Sequence, residues 1–520
     1  MQQRQQNRAN RSQNITLPAP VGGLNVRDSL DFMEAADAIV MDNYIPGETK
    51  VYLRRGFARY AAIGSPVETL AAYDTPAIKR LIAVAGGKAW NISSKDEVLP
   101  YENVQFTANV CQTVQYKDRL FFLNGSDMPK VFYVSEDRQD VFEDWSFTSE
   151  NENFLPQKLI AAKVSKERLW FVEKGSLRVW YPAEAGNIAG ELQVFDLSAV
   201  AKSGGQLMAV ANWTQDGGQG IDDLTVFITS KGECLVYAGS NPNNASDWVL
   251  KGSYMMSKPI GYKCTLQYQG DVIIISEDGY IPLSKALPLD KANASQVAFS
   301  DKIRGLVLER TQDNKSKEGW QGLIYGRGGY AIFNVPVAQQ FEQHVININT
   351  GAWCRFTNIR SFCWVIFEDR AYFGSDEAVF LFDEGYSDAG VHILGEVKQA
   401  FSDLGSPNLK KIQMLNPRTK SSMRYSLVIY TDMDFAEQSV DYRENIGSSG
   451  MTKWNVAPWS SLANQIGTKW ATLKGKIRSQ WIANSATGFK ASVVFKTKTR
   501  GNLIEWFDTG IRYEQGSGIF

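Results

Sequence analysis

Seven short hairpins follow one another along the chain at nearly even spacing. Each has a strand of four or five apolar or aromatic residues, a tight turn, and a return strand with alternating large side chains. The turns lie at Gly86–Gly87, Gly125, Gly175, Gly232, Gly279, Gly328–Gly329 and Ser375–Asp376. Successive turns are separated by 39, 50, 57, 47, 49 and 47 residues. A period of roughly 40–50 residues is typical of β-propeller blades.

Weaker strand patterns precede four of these hairpins, at residues 68–74, 112–118, 264–270 and 363–369. They fit the first strand of a four-stranded meander. Because a lone hairpin is only marginally stable in water, each unit must pack against its neighbours. The sequence therefore predicts an all-β fold with a β-propeller of about seven blades, with six to eight allowed. The alternative is a set of unrelated hairpins in two sandwiches.

The hairpin period is lost after Asp383, and strand patterns resume at a new spacing from Lys410. We therefore predict four segments: an extended N-terminal arm and leader (1–61), the propeller (62–390), a linker (391–409) and a C-terminal β-sandwich-like domain (410–520). Residues 1–16 are rich in Gln, Arg and Asn, which favours disorder. Within the leader we expect a short helical turn near 35–41 and one strand over 51–61. Long helical patterns are nearly absent elsewhere.

The net charge of −1 conceals an uneven distribution. Residues 405–520 carry 16 Lys and Arg against 8 Asp and Glu, whereas the rest of the chain carries 39 against 48. A basic end can face nucleic acid or an acidic partner. The alternative is that these lysines protect exposed strand edges.

The five cysteines are scattered without a CxxC pair, and two histidines give no zinc-binding spacing. We expect mostly buried thiols on strands, as suits a reducing compartment. The N-terminus lacks the apolar core of a secretory signal, and no apolar run approaches the ~20 residues that span a bilayer. These features predict a soluble protein made in cytoplasm, with no membrane span.

Few residues suggest chemistry. Residues 216–223 (DGGQGIDD) could hold calcium, but they do not match the EF-hand loop, and a turn capped by Asp side chains is favoured. GRGG at 326–329 lacks the phosphate-binding GxxxxGK[ST] pattern. His344 and His392 have no recurrent Ser or Cys partner, so we interpret both as structural. No catalytic, cofactor-binding or metal-binding residue is assigned, and we do not expect an enzyme.

Three stretches carry a resemblance. Residues 22–60 contain a Gly-Gly leader, then DNYIP at 42–46 and LRRG at 53–56. The others are DGGQGIDDLTVFITSKGECLVYAGSNPNNASDWVL with the later KPIGYKC, and LKKIQMLNP with VIYTDMDF. Together they resemble the tail nozzle, or tail tubular protein B type, of short-tailed bacteriophages (podoviruses). These motifs are structural rather than catalytic.

The resemblance implies a homo-hexameric ring beneath the adaptor, or head-to-tail connector, that forms the distal tail channel. Tail fibres or other tail proteins would be further partners, and phage DNA would pass without sequence-specific binding. The protein would be a virion component made in the host bacterial cytoplasm, and no cofactor is implied. Candidate subunit or adaptor contacts are the basic residues Arg54, Arg55, Lys410, Lys411, Lys474, Lys476 and Arg478.

Since dense phosphate contacts would slow DNA sliding, we expect a neutral or acidic face of residues 62–390 to line any channel. The basic C-terminal domain would then lie at subunit or adaptor contacts. Two alternatives stay open: a propeller hydrolase acting on host surface polysaccharide, and a propeller scaffold for protein contacts.

Overall fold

The computed structural model describes residues 12–188, 190–216, 221–286, 298–423, 425–437 and 476–516. The chain divides into two units. The propeller unit comprises Arg59–His344 and Asn358–Phe382, and the terminal unit comprises Met1–Ala58, Val345–Thr357 and Asp383–Phe520.

From Ser12 onward, the leader contains six strands: β1 (Gln13–Pro18), β2 (Gly23–Leu24), β3 (Asp37–Asp42), β4 (Tyr44–Pro46), β5 (Val51–Leu53) and β6 (Phe57–Ala62). The predicted helical turn near 35–41 is wrong, because this segment forms β3. The predicted strand over 51–61 is two strands, since the chain leaves β5 at Arg54 and enters β6 at Phe57. Of the predicted disordered arm, residues 1–11 lie outside the described ranges and the remainder contributes to β1.

Antiparallel sheets of three or four strands follow in the propeller unit. The first four are β7 (Val67–Asp74), β8 (Lys79–Ala85), β9 (Lys88–Asn91) and β10 (Leu99–Gln105); β11 (Gln112–Tyr116), β12 (Arg119–Leu123), β13 (Lys130–Val134) and β14 (Asp140–Asp144); β15 (Leu159–Ser165), β16 (Arg168–Glu173), β17 (Arg178–Pro182) and β18 (Leu192–Asp196); and β19 (Leu207–Asp216), β20 (Ile221–Thr229), β21 (Glu233–Ala238) and β22 (Val249–Met255).

Three further strand sets complete the unit. They are β23 (Thr265–Tyr268), β24 (Asp271–Ser276) and β25 (Gly279–Pro282); β26 (Gln321–Tyr325), β27 (Tyr330–Val337) and β28 (Gln340–Asn347); and, after β29 (Trp353–Phe356) of the terminal unit, β30 (Cys363–Phe367), β31 (Arg370–Gly374) and β32 (Ala378–Phe382), which β6 joins. The unit boundary falls within β28.

The first strands of these sets form a closed ring. In chain order β7, β11, β15, β19, β23, β26 and β30 each contact the next, and β30 returns to contact β7. Six of the sets are separate sheets, and β26–β28 occupies the remaining ring position. The predicted all-β fold with a β-propeller, for which six to eight blades were allowed, is thereby confirmed. The four weaker strand patterns correspond to β7, β11, β23 and β30, each the first strand of its set.

Apolar side chains fill the spaces between neighbouring sheets. One cluster joins Ala71 and Ile82 of the first sheet to Phe122 and Phe132 of the second. Another joins Trp170 of the third sheet to Phe227 of the fourth. Hydrophobic burial is therefore shared between sheets, as expected if no hairpin is stable alone.

The ring closes with a strand from the beginning of the unit. β6 pairs with β32, so the last sheet takes its outermost strand from the early part of the chain. Nearby, the Ile63 N–H donates to the Glu377 carbonyl at 2.8 Å, and the Val67 N–H donates to the Ser375 carbonyl at 2.9 Å. Both ends of the propeller sequence are thus fastened by backbone hydrogen bonds.

The turn between β20 and β21 requires a glycine. Gly232 has a φ of 84°, a conformation that residues with a Cβ rarely adopt. A Cβ there would lie 2.3 Å from the Met256 carbonyl oxygen. The turn therefore needs glycine for both its backbone angle and its close packing.

The residue after this turn, Glu233, is buried and accepts several hydrogen bonds. Its carboxylate accepts from the Ser253 hydroxyl at 2.6 Å, the Ser203 N–H at 2.8 Å and the Lys202 N–H at 3.2 Å. Burial by itself raises the pKa of Glu233, but these hydrogen bonds outweigh burial and lower it below the usual value. The unprotonated carboxylate is thus the stabilising form.

We expect Glu233 to contribute stability that is lost in acid. Because the pKa is lower in the folded than in the unfolded chain, the contribution is complete above the unfolded value of about 4.3 and falls as pH drops through the folded value. The difference in unfolding free energy between wild type and Glu233→Gln should shrink between about pH 6 and pH 3. Urea unfolding at several pH values measures it, and a constant difference would contradict the assignment.

Helical structure interrupts the strands after β25. A short helix α1 (Leu283–Ala286) follows β25, and α2 (Arg304–Asn314) lies before β26. Three-residue 3₁₀ turns occur at Pro156–Lys158, Leu197–Ala199 and Asp301–Ile303. The sequence analysis missed α2 because its apolar residues form no strong helical stripe. None of the helices in the described ranges combines the length and the apolar character needed to span a bilayer.

The terminal unit combines the leader with strands from the C-terminal part of the chain. These are β33 (Ile393–Gln399), β34 (Lys410–Ser421), β35 (Ser426–Met433), β36 (Lys476–Ser479), β37 (Ile482–Gly488), β38 (Ala491–Thr499) and β39 (Ile504–Gln515). One sheet has the order β36-β34-β39-β5-β4, with β37 on β34 and β1 on β39. The other contains β29-β3-β33-β38-β35, with β2 on β3.

Aromatic side chains join the two sheets of this unit. The rings of Phe495 in β38 and Trp506 in β39 stack with centroids 4.4 Å apart. Tyr44 packs edge-on against Phe495 and shares a 2.9 Å hydrogen bond with the Thr497 hydroxyl. This arrangement agrees with the predicted sandwich-like domain, although its membership differs from the prediction.

Two predicted boundaries need correction. The leader is not a separate arm, because β4 and β5 complete a sheet built around β34 and β39. The predicted linker, 391–409, contains β33, which pairs with both β3 and β38. The Gly-Glu-Val-Lys sequence of β33 obscured a strand that is largely buried.

Candidate functional site

The LRRG segment of the leader lies at a buried junction within the terminal unit. Arg54 is 1% exposed and forms a two-pronged ion pair with Asp388, with nitrogen–oxygen distances of 2.6 and 2.8 Å. Its Nε donates to the Asn43 side-chain oxygen at 2.7 Å. The predicted surface contact at Arg54 is therefore wrong, because the guanidinium is fully engaged inside its own chain.

Neighbouring motif residues complete the same junction. The Asn43 amide nitrogen donates to the Thr357 hydroxyl at 2.8 Å and to the Leu394 carbonyl at 2.7 Å. Asp42 forms a two-pronged ion pair with Arg355 at 2.7 and 2.8 Å. We call Asp42, Asn43, Arg54, Arg355 and Asp388 the leader junction. It joins three stretches of chain that are far apart in sequence.

Lys410 is also buried, at 0% exposure. Its ammonium donates to the carbonyl oxygens of Ser406, Asn408 and Phe489 at 2.6, 2.8 and 2.7 Å. Burial lowers the pKa of this ammonium. The predicted subunit or adaptor contact at Lys410 is wrong, because all three donors are used within the terminal unit.

The other basic candidates are accessible to different degrees. Lys411 and Lys476 are exposed, whereas Arg55 and Arg478 are half-buried. Arg55 lies over the Tyr386 ring at 5.5 Å, and Arg478 donates to the Ser421 hydroxyl at 3.0 Å. These four remain predicted contacts, while Lys474 lies outside the described residues.

A cavity of about 390 Å³ lies at one end of the propeller axis. Residues from six of the seven inner-strand positions line it, at or near the beginning of each strand: Glu68, Gln112, Ile160, Lys263, Gln321 and Phe362. We call it the axial cavity. The converging inner strands place polar side chains from distant parts of the sequence around one space, as ligand pockets require.

Basic side chains outnumber acidic ones in the axial cavity. Its lining includes Lys174, Lys263, Lys315 and Lys317 against Glu68 and Glu318. Lys315 already pairs with Glu277 at 3.0 Å, and Lys317 donates to the Asn314 side-chain oxygen at 2.8 Å. The side-chain ammonium groups of Lys263 and Lys174, in contrast, have no hydrogen bond or ion pair to any described residue.

His344 belongs to a buried network rather than to an accessible site. It shares a 2.8 Å hydrogen bond with the Tyr280 hydroxyl through Nδ1 and a 3.0 Å contact with Glu342 through Nε2. Arg310 pairs with the same carboxylate at 2.7 Å. Tyr280 and His344 are at most 1% exposed, which agrees with a structural role for this histidine.

The five cysteines are free and buried, as predicted. Burial raises the pKa of Cys111 and Cys363 to about 12, so both remain protonated thiols near neutral pH. The described residues contain no cluster of three or more His, Cys, Asp or Glu side chains placed to hold a metal ion. Of the turn at 216–223 that the sequence analysis considered for calcium, residues 217–220 lie outside the described residues.

Comparison with known proteins identifies no family for this chain. No protein-family model and no curated protein matches the chain. Similar solved structures include streptogramin B lyase, with 10% identity and a TM-score of 0.37, covering 62% of this chain and 96% of that one. A putative 6-phosphogluconolactonase from Bacteroides fragilis gives 10% identity and a TM-score of 0.34, covering 65% and 89%. The computationally designed Ika8 protein gives 11% and 0.35, covering 62% and 99%.

The axial cavity was not predicted from the sequence. Its lysines belong to separate repeats and share no local motif, so composition could not bring them together. One signal was present: Lys263 directly precedes the buried Cys264 and the inner strand β23. The first residues of inner strands are where an axial site must be sought in a propeller.

Proposed function

We propose that this protein is a structural component of the tail of a short-tailed bacteriophage. In this role six copies form a nozzle ring below the adaptor, and the ring extends and gates the DNA channel. The observation that carries the proposal is the leader junction, because the residues that resemble nozzle proteins are those that hold the terminal unit together.

The leader junction supports a structural role for the shared motif. Asp42 and Asn43 of DNYIP and Arg54 of LRRG all use their polar groups inside the chain. Gly56 is equally constrained, since a Cβ there would lie 1.9 Å from the Ser387 carbonyl oxygen. Because these motif residues contact other parts of their own chain, the shared motif supports a structural role rather than a catalytic one.

A closed propeller suits a mechanical part. Ring closure leaves only short strand edges, and each inter-sheet space is filled by apolar packing. Ring assembly of identical copies requires two different surfaces on each copy that meet head to tail. The exposed Lys411 and Lys476 of the terminal unit are candidates for such a surface, with phage DNA passing along a neutral or acidic wall.

We expect the purified full chain to assemble into a six-fold ring. Light scattering after gel filtration should give a mass near six times 58.1 kDa, and negative-stain images should show a central opening. Images of purified phage particles carrying a tagged copy should place the tag at the distal tail. Absence of the tagged chain from particles, together with a monomeric mass, would overturn the proposal and favour an interaction scaffold.

One observation keeps a hydrolase as the second candidate. Glu68 and Glu318 both line the axial cavity, and paired carboxylates are what glycoside hydrolysis requires. Incubation of the protein with host capsule or lipopolysaccharide tests this function. Released sugar that disappears in both Glu68→Gln and Glu318→Gln would favour the enzyme, whereas no release at high protein concentration would reject it.

A further inference from the structure

The axial cavity has the features of a ligand site independent of any tail role. Its volume of about 390 Å³ falls within the range of roughly 300–1,000 Å³ for small-molecule pockets. Its wall includes the aromatic residues Tyr262, Trp320 and Phe362 beside a few polar groups. Such a combination provides apolar packing for a compact body and fixed points for its charged or polar substituents.

Lys263 is the decisive charged group. It is half-buried and forms no hydrogen bond or ion pair with the described residues. Burial has the largest influence on the pKa of Cys111 and Cys363 and raises it, whereas the positive charge of Lys263 acts on both in the opposite direction. A partly desolvated ammonium without a counter-ion is costly, so an anion in the cavity would satisfy it.

Neither carboxylate of the cavity, Glu68 or Glu318, forms an ion pair with Lys263. Glu68 accepts from the Asn109 amide at 2.9 Å, which partly satisfies this carboxylate. Gln112 is half-buried and its side chain has no hydrogen-bond partner among the described residues. Lys174 lies against Gly125, where a Cβ would meet its Cδ at 2.8 Å, so its stem forms part of the wall.

From these observations we propose that the axial cavity binds an anionic ligand of monosaccharide size. Its carboxylate or phosphate pairs with Lys263, its polar edge meets Gln112, and its body packs against Tyr262 and Phe362. The shared chemistry is a compact anion, and the two sources are a sugar acid and a sugar phosphate. The proposal does not depend on whether the protein assembles into a tail ring.

Calorimetric titration of the full chain distinguishes these sources. The probes are glucuronate, glucose 6-phosphate, inorganic phosphate and uncharged glucose. We expect at least one of the two charged sugars to bind with a Kd of about 1 mM or tighter, and glucose to bind at least about tenfold more weakly. Binding of inorganic phosphate alone would show an ion site without a sugar site and would overturn the size assignment.

Matched variants test the role of Lys263. Lys263→Met should weaken binding at least about tenfold, whereas Lys263→Arg, which keeps the charge, should retain most of it. Lys95→Met removes an exposed lysine that does not line the cavity and should leave binding unchanged. Equal affinities of Lys263→Met and Lys95→Met, or equal affinities for glucose and glucuronate, would overturn the proposal. Circular dichroism establishes that each variant is folded.

Discussion

Replacing Arg54 with Met should destabilise the terminal unit by about 3–5 kcal/mol. The substitution leaves the Asp388 carboxylate, which is 7% exposed, without the guanidinium that pairs with it at 2.6 and 2.8 Å. It also removes the donor to Asn43. Breaking a buried pair from one side is costly because the remaining charge stays away from water. Urea unfolding monitored by tryptophan fluorescence measures the loss.

The adjacent arginine is the matched control for this prediction. Arg55 is half-buried, and its ion pair with Asp383 has a long nitrogen–oxygen distance of 3.9 Å. Arg55→Gln should therefore change the unfolding free energy by no more than about 1 kcal/mol. Arg54→Met combined with Asp388→Leu should recover part of the loss, since it removes the orphaned charge. Equal effects of Arg54→Met and Arg55→Gln would refute the role assigned to the leader junction.

Replacing Gly374 with Ala should separate the first and last sheets of the propeller. A Cβ at this position would lie 2.3 Å from the Val67 carbonyl oxygen and 2.8 Å from the Cys363 sulfur. Because the first of these contacts is backbone, the first and last sheets must move apart. We expect a loss of about 3 kcal/mol, at the upper end of ordinary overpacking costs. Hydrogen exchange should show reduced protection at the beginning of β7 and in β31.

A second glycine of the same unit provides the comparison. A Cβ added at Gly326 meets nothing within 4 Å. Gly326→Ala should therefore stay within about 0.5 kcal/mol of wild type. If Gly374→Ala is equally harmless, the contact between Gly374 and Val67 does not hold the ring shut.

The propeller could be predicted from sequence because its evidence is local and repeated. Each hairpin carries its own turn residue, and the predicted turn residues Gly125, Gly175, Gly232 and Gly279 have positive φ angles. Errors in single strands do not alter a period that recurs along most of the chain. Repetition therefore compensated for uncertainty in each element.

The terminal unit was harder to predict because its pairings are remote. Val51 in β5 pairs with Trp506 in β39, and Asn14 in β1 pairs with Arg512. No local pattern specifies which of several strands will pair across such separations. The sequence therefore predicted a separate arm for the leader and a linker for the segment that contains β33, although both belong to the sheets.

The adjacent lysines Lys410 and Lys411 carry a pattern that predicts different environments for the two side chains. Successive side chains on a strand point to opposite faces, so Lys410 and Lys411 cannot both lie on the same face of β34, and one face of β34 is buried. The structure buries Lys410 and exposes Lys411. Lysine on a buried face is unexpected from composition, and the three carbonyl partners of Lys410 satisfy its donors there.

The borrowed outer strand of the last sheet imposes an order on folding during synthesis. β6 ends at Ala62, yet its partner β32 begins only at Ala378. At roughly 5–20 residues per second, the ribosome needs about 15–60 s to make the intervening chain. Through that interval β6 lacks its final neighbour, and the nascent propeller has an open edge. Truncated chains that end before β32 therefore cannot close the propeller ring.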